Sequence, residues 1–150
     1  MNLALDHLAD NPVIDELVSW PPRAHRIARV RGCSALFRKP FIEVTLADGE
    51  VFQRHFPRQG FAEDWAEACV ILQTLTRIEV VSDFEHQQVA DRDGLVARVL
   101  ACRDECIAEA GQMFDAGMYA QFLQQFGEDC AALPEDVERR IAIARERLSD

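Results

Sequence analysis

Residues 41–56 read FIEVTLADGEVFQRHF, and this stretch decides the fold. Two runs of alternating β-branched and aromatic residues flank Asp48-Gly49. That pair favours a tight reversal, because glycine tolerates the left-handed backbone such turns require. Period two places Ile42, Val44 and Leu46 on one side of the first strand and Phe41, Glu43 and Thr45 on the other. Pro40 and Pro57 bracket the hairpin, at strand ends where a missing backbone N–H is tolerated.

The same period continues on the N-terminal side. HRIARVR at 25–31 predicts a third strand, with Ile27 and Arg29 on one face and Ala28 and Val30 on the other. Before it, Asn11-Pro12 is followed by Val13, Ile14, Leu17 and Val18: a capping residue, proline at the first helical position, then an apolar stripe. Pro21 and Pro22 stop that helix at Trp20, and residues 3–10 (LALDHLAD) predict a further short helical turn.

On the C-terminal side the period changes to that of a helix. FAEDWAEACVILQTLT at 61–76 repeats Trp65, Ala68, Cys69, Leu72, Leu75 and Thr76 at helical spacing. RIEVVS at 77–82 is short and β-branched and can add another strand; the polar residues of 83–94 read as a connection. A long helical region runs from about Asp93 to Phe126, with Gly111 and Gly117 as places for a break or kink and Gly127 at its C-terminal cap. Pro134-Glu135-Asp136 opens a last helix whose apolar seam is Val137, Ile141, Ala144 and Leu148. The expected fold is α+β in one domain spanning 1–150. A small antiparallel sheet, the hairpin of about 41–56 plus a strand at about 25–31, packs against three or four helices.

The 150-residue chain with 49% apolar residues can form a core without disulfide or metal staples. Its cysteines, Cys33, Cys69, Cys102, Cys106 and Cys130, are odd in number and lack the spacing of a secreted framework. The first residues carry no basic region ahead of an apolar one, and no apolar run reaches the roughly 18–20 residues that cross a bilayer. The expectation is a cytoplasmic protein with reduced thiols and no membrane partner.

Net charge is −10 and unevenly placed. Residues 20–60 carry eight cations and three anions, whereas residues 61–150 carry nineteen acids and eight arginines. A basic segment is thus set in an acidic body, which repels nucleic acid at long range. Even so, Arg23, Arg26, Arg29, Arg31 and Arg38, with Trp20 and Phe37, can form a phosphate-facing surface with stacking aromatics. A nucleic-acid binder built on 23–39 is therefore one alternative, and ion pairing within the protein is the bland reading of the same residues.

Cys102 and Cys106, one helical turn apart, can ligate a metal or form a redox couple. They also share a stripe with Leu95, Val99 and Met113, where free cysteine packs as an ordinary apolar residue. A thiol- or metal-dependent protein using this pair is the second alternative. The histidines His7, His25, His55 and His86 are scattered; His86 sits in Asp83-Phe84-Glu85-His86, where a carboxylate can orient an imidazole, and no serine or cysteine with nucleophile context lies nearby in sequence. Neither a nucleotide-binding glycine loop nor any other cofactor motif occurs.

The stretch FDAGMYAQFLQQF at 114–126 concentrates aromatic, Met and Gln residues. Phe114, Met118, Tyr119 and Phe122 are candidates for a partner surface, as are Arg26, Arg29 and Arg31; the same apolar residues can instead be core. The leading expectation is a non-enzymatic accessory protein, an adaptor, assembly chaperone or inhibitor. It would bind a protein with a basic surface, and mimicry of nucleic acid by aligned carboxylates is one version of this. A homodimer through the last helix's seam is compatible with the same pattern.

Overall fold

In a computed structural model, residues 11–19, 27–33, 39–57, 59–83, 89–126, 130–131 and 133–150 are described. Trp20, Arg23, Arg26, Phe37, Arg38, His7, His25, His86, Gly127 and the expected turn at 3–10 lie outside them. In chain order the elements are α1 (Pro12–Ser19), β1 (Ile27–Cys33), β2 (Phe41–Leu46), β3 (Val51–His55), α2 (Phe61–Leu75), β4 (Glu79–Ser82), α3 (Arg92–Asp115), α4 (Tyr119–Gln124) and α5 (Glu135–Ser149). The fold is α+β, as the alternation of periods predicts.

The sheet has the order β3-β2-β1-β4. β2 and β3 form the hairpin, pairing Thr45 with Val51 and Phe41 with His55. Gly49 takes φ 94° at the turn, and its N–H donates to the Leu46 carbonyl at 3.0 Å. The Asp48 carboxylate accepts from the Glu50 N–H at 3.0 Å and fixes the loop.

Two features of the sheet differ from the sequence expectation. The first is a register shift in β1: Ile27 pairs with Leu46 and Arg29 with Thr45, so Ala28 is an extra residue. This bulge turns both Ile27 and Val30 to the core and leaves Ala28 and Arg29 exposed, where strict alternation puts Ile27 with Arg29. The second is the direction of the fourth strand. β4 runs parallel to β1, pairing Arg29 with Glu79 and Gly32 with Ser82, so the sheet is mixed rather than purely antiparallel. Parallel neighbours need a crossover, and the chain from β3 to β4 supplies it through α2.

One face of the sheet, with Val30, Ile42, Val44 and Leu46, meets α1, α2 and the first turns of α3 in one core. Trp65 of α2 is wholly buried there and donates its indole N–H to the Ser82 hydroxyl at 3.0 Å. Gly32 opposite leaves room for it: a Cβ at that position would stand 2.6 Å from the indole Cζ2 and Nε1. Asn11 caps α1 as its residue type predicts, accepting from the Val13 and Ile14 N–H groups at 3.0 and 3.1 Å. Its side-chain amide also donates to the Asp64 carbonyl at 2.9 Å, tying α1 to α2.

α3 is a strut of 24 residues, about 36 Å long at the helical rise. Asp91 caps its start by accepting from the Gly94 N–H. Leu95 and Val99 belong to the sheet's core, whereas Ala110 belongs to a second cluster with Phe122 and Ala144. The break falls at Gly117, where φ is 76°; Gly111 stays inside the helix, close against the Arg140 guanidinium. Between the clusters, Thr76 bridges to Cys130 and the Ala131 N–H donates to the Leu75 carbonyl at 2.9 Å. The segment leading into α5 is thereby pinned to the end of α2.

Candidate functional site

Two surfaces carry the residues that the sequence singles out. The first is the sheet face away from the helices. Strand register brings Arg29 and Arg31 of β1 beside Glu43 of β2, and beside Glu79 of β4 and Asp83 just after it. Arg29 Nε donates to Glu79 at 3.1 Å. Arg31 grips the Asp83 carboxylate with Nε and Nη2, the shortest contact being 3.0 Å. That paired hydrogen bonding holds the Arg31 guanidinium further above its ordinary value. Gln53 of β3 donates to Glu43 at 2.9 Å. Side chains from all four strands therefore form polar cross-strand pairs on this face.

Cys33 lies at the end of the same face, buried, and burial pushes its thiol up to about 11. Such a thiol is protonated at neutral pH and a poor nucleophile. Cys69 in α2 is pushed up to about 12 by the same cause. None of the five cysteines is in a disulfide; Cys106 is buried and Cys102 partly so, one turn apart on α3. Among the described residues no three His, Cys, Asp or Glu side chains come together so as to hold a metal ion.

The second surface is the corner where α3 turns into α4. Phe122 anchors it, with 1% of its surface exposed. Phe114 and Phe126 set their rings 5.3 and 5.1 Å from Phe122, and Tyr119 lies edge-on to Phe114 at 5.4 Å. The Arg140 guanidinium covers the Phe114 ring at 5.5 Å. Phe114, Tyr119, Leu123 and Phe126 are only half-buried, and Met118, held at the turn by Gly117, is 42% exposed. Nearby in sequence, Glu105, Glu109 and Asp115 of α3 and Glu135, Asp136 and Glu138 of α5 are exposed acids.

Of the sequence-derived partner candidates, Phe114, Met118, Tyr119 and Phe122 are thus brought together, with Phe122 inside the cluster and Met118 outermost. Arg29 and Arg31 share a face of the sheet, while Arg26 lies outside the described residues. The seam of the last helix divides: Val137 and Ala144 are buried within the chain, and Leu148 is 53% exposed. Sequence reasoning missed the acidic partners of the arginines. Alternation alone places Arg29, Arg31 and Glu43 near each other, but Glu79 and Asp83 join them only once β4 is known to run beside β1.

Among the described residues no helix is long and apolar enough to cross a membrane. Compared with protein-family models, with curated proteins and with solved structures, the chain matches none.

Proposed function

We propose that this is a non-enzymatic, cytoplasmic accessory protein that acts by binding another protein through the α3–α4 corner. The observation that carries the reading is Met118, exposed beside half-covered aromatic rings that Phe122 holds in place. Met and aromatic side chains supply large contact area, and methionine adapts to the shape of its partner. The exposed acids of α3 and α5 suit a partner with a basic surface, whose encounter long-range charge would accelerate.

The arginine face supports the nucleic-acid alternative less well, because Arg29 and Arg31 already have carboxylate partners, Glu79 in β4 and Asp83 just after it. A phosphate would have to compete with those carboxylates. The thiol alternative rests on Cys102 and Cys106, of which Cys106 is buried.

The test is capture from native extract at low and high salt, with the wild-type chain and Met118→Asp in parallel. One dominant protein retained at low salt, released by high salt and lost with Met118→Asp is the expected result. Retention of nothing, or equal retention by Met118→Asp, contradicts the reading.

A further inference from the structure

We propose that β3 is the seam of a homodimer, in which two copies pair antiparallel along Glu50–Arg54 and join their sheets into one of eight strands. Among the described residues β3 stands at the edge of the sheet, with β2 on one side only. Two hydrogen bonds bracket its ladder: the Leu46 N–H donates to the Glu50 carbonyl and the Phe56 N–H to the Pro40 carbonyl, both at 2.8 Å. In an antiparallel pair the bonded residues alternate, so between these brackets Phe52 and Arg54 bond to β2. The N–H and C=O groups of Val51, Gln53 and His55 consequently point away from the sheet.

The row is open for pairing. Val51 is 53% exposed, and Gln53 and His55 are exposed as well. No proline or register shift interrupts the strand, two of the devices that ordinarily blunt an edge. The opposite edge is a shorter strand of four residues, with Glu79 at its start and Asp83 just beyond its end.

The order of side chains argues for a second copy rather than an unrelated strand. Outward-facing residues must meet outward-facing residues, which allows Val51 of one copy to bond with Gln53 of the other. The sequence Glu50-Val51-Phe52-Gln53-Arg54 then reads against itself about Phe52. Phe52 faces its counterpart across the two-fold axis. Glu50 of each copy faces Arg54 of the other, and opposite charges directly across strands are favourable. A two-fold axis makes both ion pairs from one, which is the self-complementarity that an isologous interface demands. This seam is separate from the α3–α4 corner, so the two proposals stand or fall independently.

Sedimentation velocity on the full chain over a range of concentrations tests it. The wild type is expected to move from the 17.0 kDa monomer to twice that mass as concentration rises. Gln53→Pro removes an outward donor without touching the β2 ladder and should give a monomer with an unchanged far-UV spectrum. Arg54→Glu should weaken dimerisation at least tenfold, and the exchange Glu50→Arg with Arg54→Glu should restore it. A wild type that stays monomeric at every concentration overturns the proposal. So does a dimer that survives Gln53→Pro, or an exchange variant no tighter than Arg54→Glu alone.

Discussion

Around the sheet, nineteen buried residues among those described, from two strands, three helices and the adjoining turns, share one core, including the wholly buried Trp65, Leu72 and Val99. At the far end of α3 the second cluster has, among the described residues, Ala110, Phe122 and Ala144 fully enclosed, ringed by half-covered Met113, Phe114, Tyr119, Leu123, Phe126 and Ile141. Both regions are apolar in sequence, yet they spend that character differently. The sheet's end hides its apolar groups apart from Val51 at the β3 edge and offers solvent a face of paired charges. The helical end leaves methionine and aromatic surface accessible. Local stability follows the density of buried apolar contacts, so the sheet's end should be the rigid platform and the helical end the part that opens first.

The largest expected effect is at the anchor of the weaker region. Phe122→Ala should cost about 3–5 kcal/mol locally, as deletion of a buried ring does. Amide exchange should accelerate through α4 and α5 while the sheet stays protected. If all amides accelerate together, the two regions are one cooperative unit and the comparison fails.

In the stronger region Gly32→Ala places a methyl group against the Trp65 indole, and overpacking of this kind costs about 1–3 kcal/mol. A denaturation midpoint lowered without change of slope, with an altered Trp65 emission, is the expected outcome. A neutral result would mean that the indole has room to move, and would place the two cores closer in rigidity.

Asn11→Ala should cost about 1 kcal/mol by removing the cap of α1. Asn11→Asp sharpens the point: it keeps an acceptor for the Val13 and Ile14 N–H groups and loses the amide that donates to Asp64. A loss at least as large as for alanine, read from urea titrations of the two variants, is expected, because a buried carboxylate then faces the Asp64 carbonyl oxygen.

The smallest effect is a pH dependence confined to the sheet's end. Cys33 and Cys69 are held above their ordinary 9.0 by burial, so the unfolded chain releases these protons first as pH rises. Their contribution is complete below about pH 9 and is lost between there and about 11–12, so stability falls with pH across that window. Cys33→Ser and Cys69→Ser variants should each flatten the fall, in urea midpoints measured from pH 8 upward.

What the sequence discloses depends on the range of the interaction. The hairpin was legible because Asp48-Gly49 and the flanking alternation are local, and the starts of α1 and α5 were legible because Asn11-Pro12 and Pro134-Glu135 carry their own signals. The bulge at Ala28 was not, because a register exists only between two strands. The parallel placement of β4, and with it the pairing of Arg31 with Asp83 fifty-two residues away, depends on where α2 delivers the chain. The choice between Gly111 and Gly117 as the helix break was also tertiary: Arg140 lies close against the first, and nothing stands within 4 Å of a Cβ at the second. The cluster at 114–126 was visible as composition, but which side chains face inward was fixed by α5, through Ala144 and Arg140.

The most direct test of the difference between the two ends is site-specific photocrosslinking in native extract. A photoreactive amino acid is placed at position 118 in one chain and at position 29 in another. The account predicts a discrete protein adduct from position 118 and none from position 29. A protein or nucleic-acid adduct from position 29, with position 118 silent, would contradict it and move the binding surface to the arginine face of the sheet.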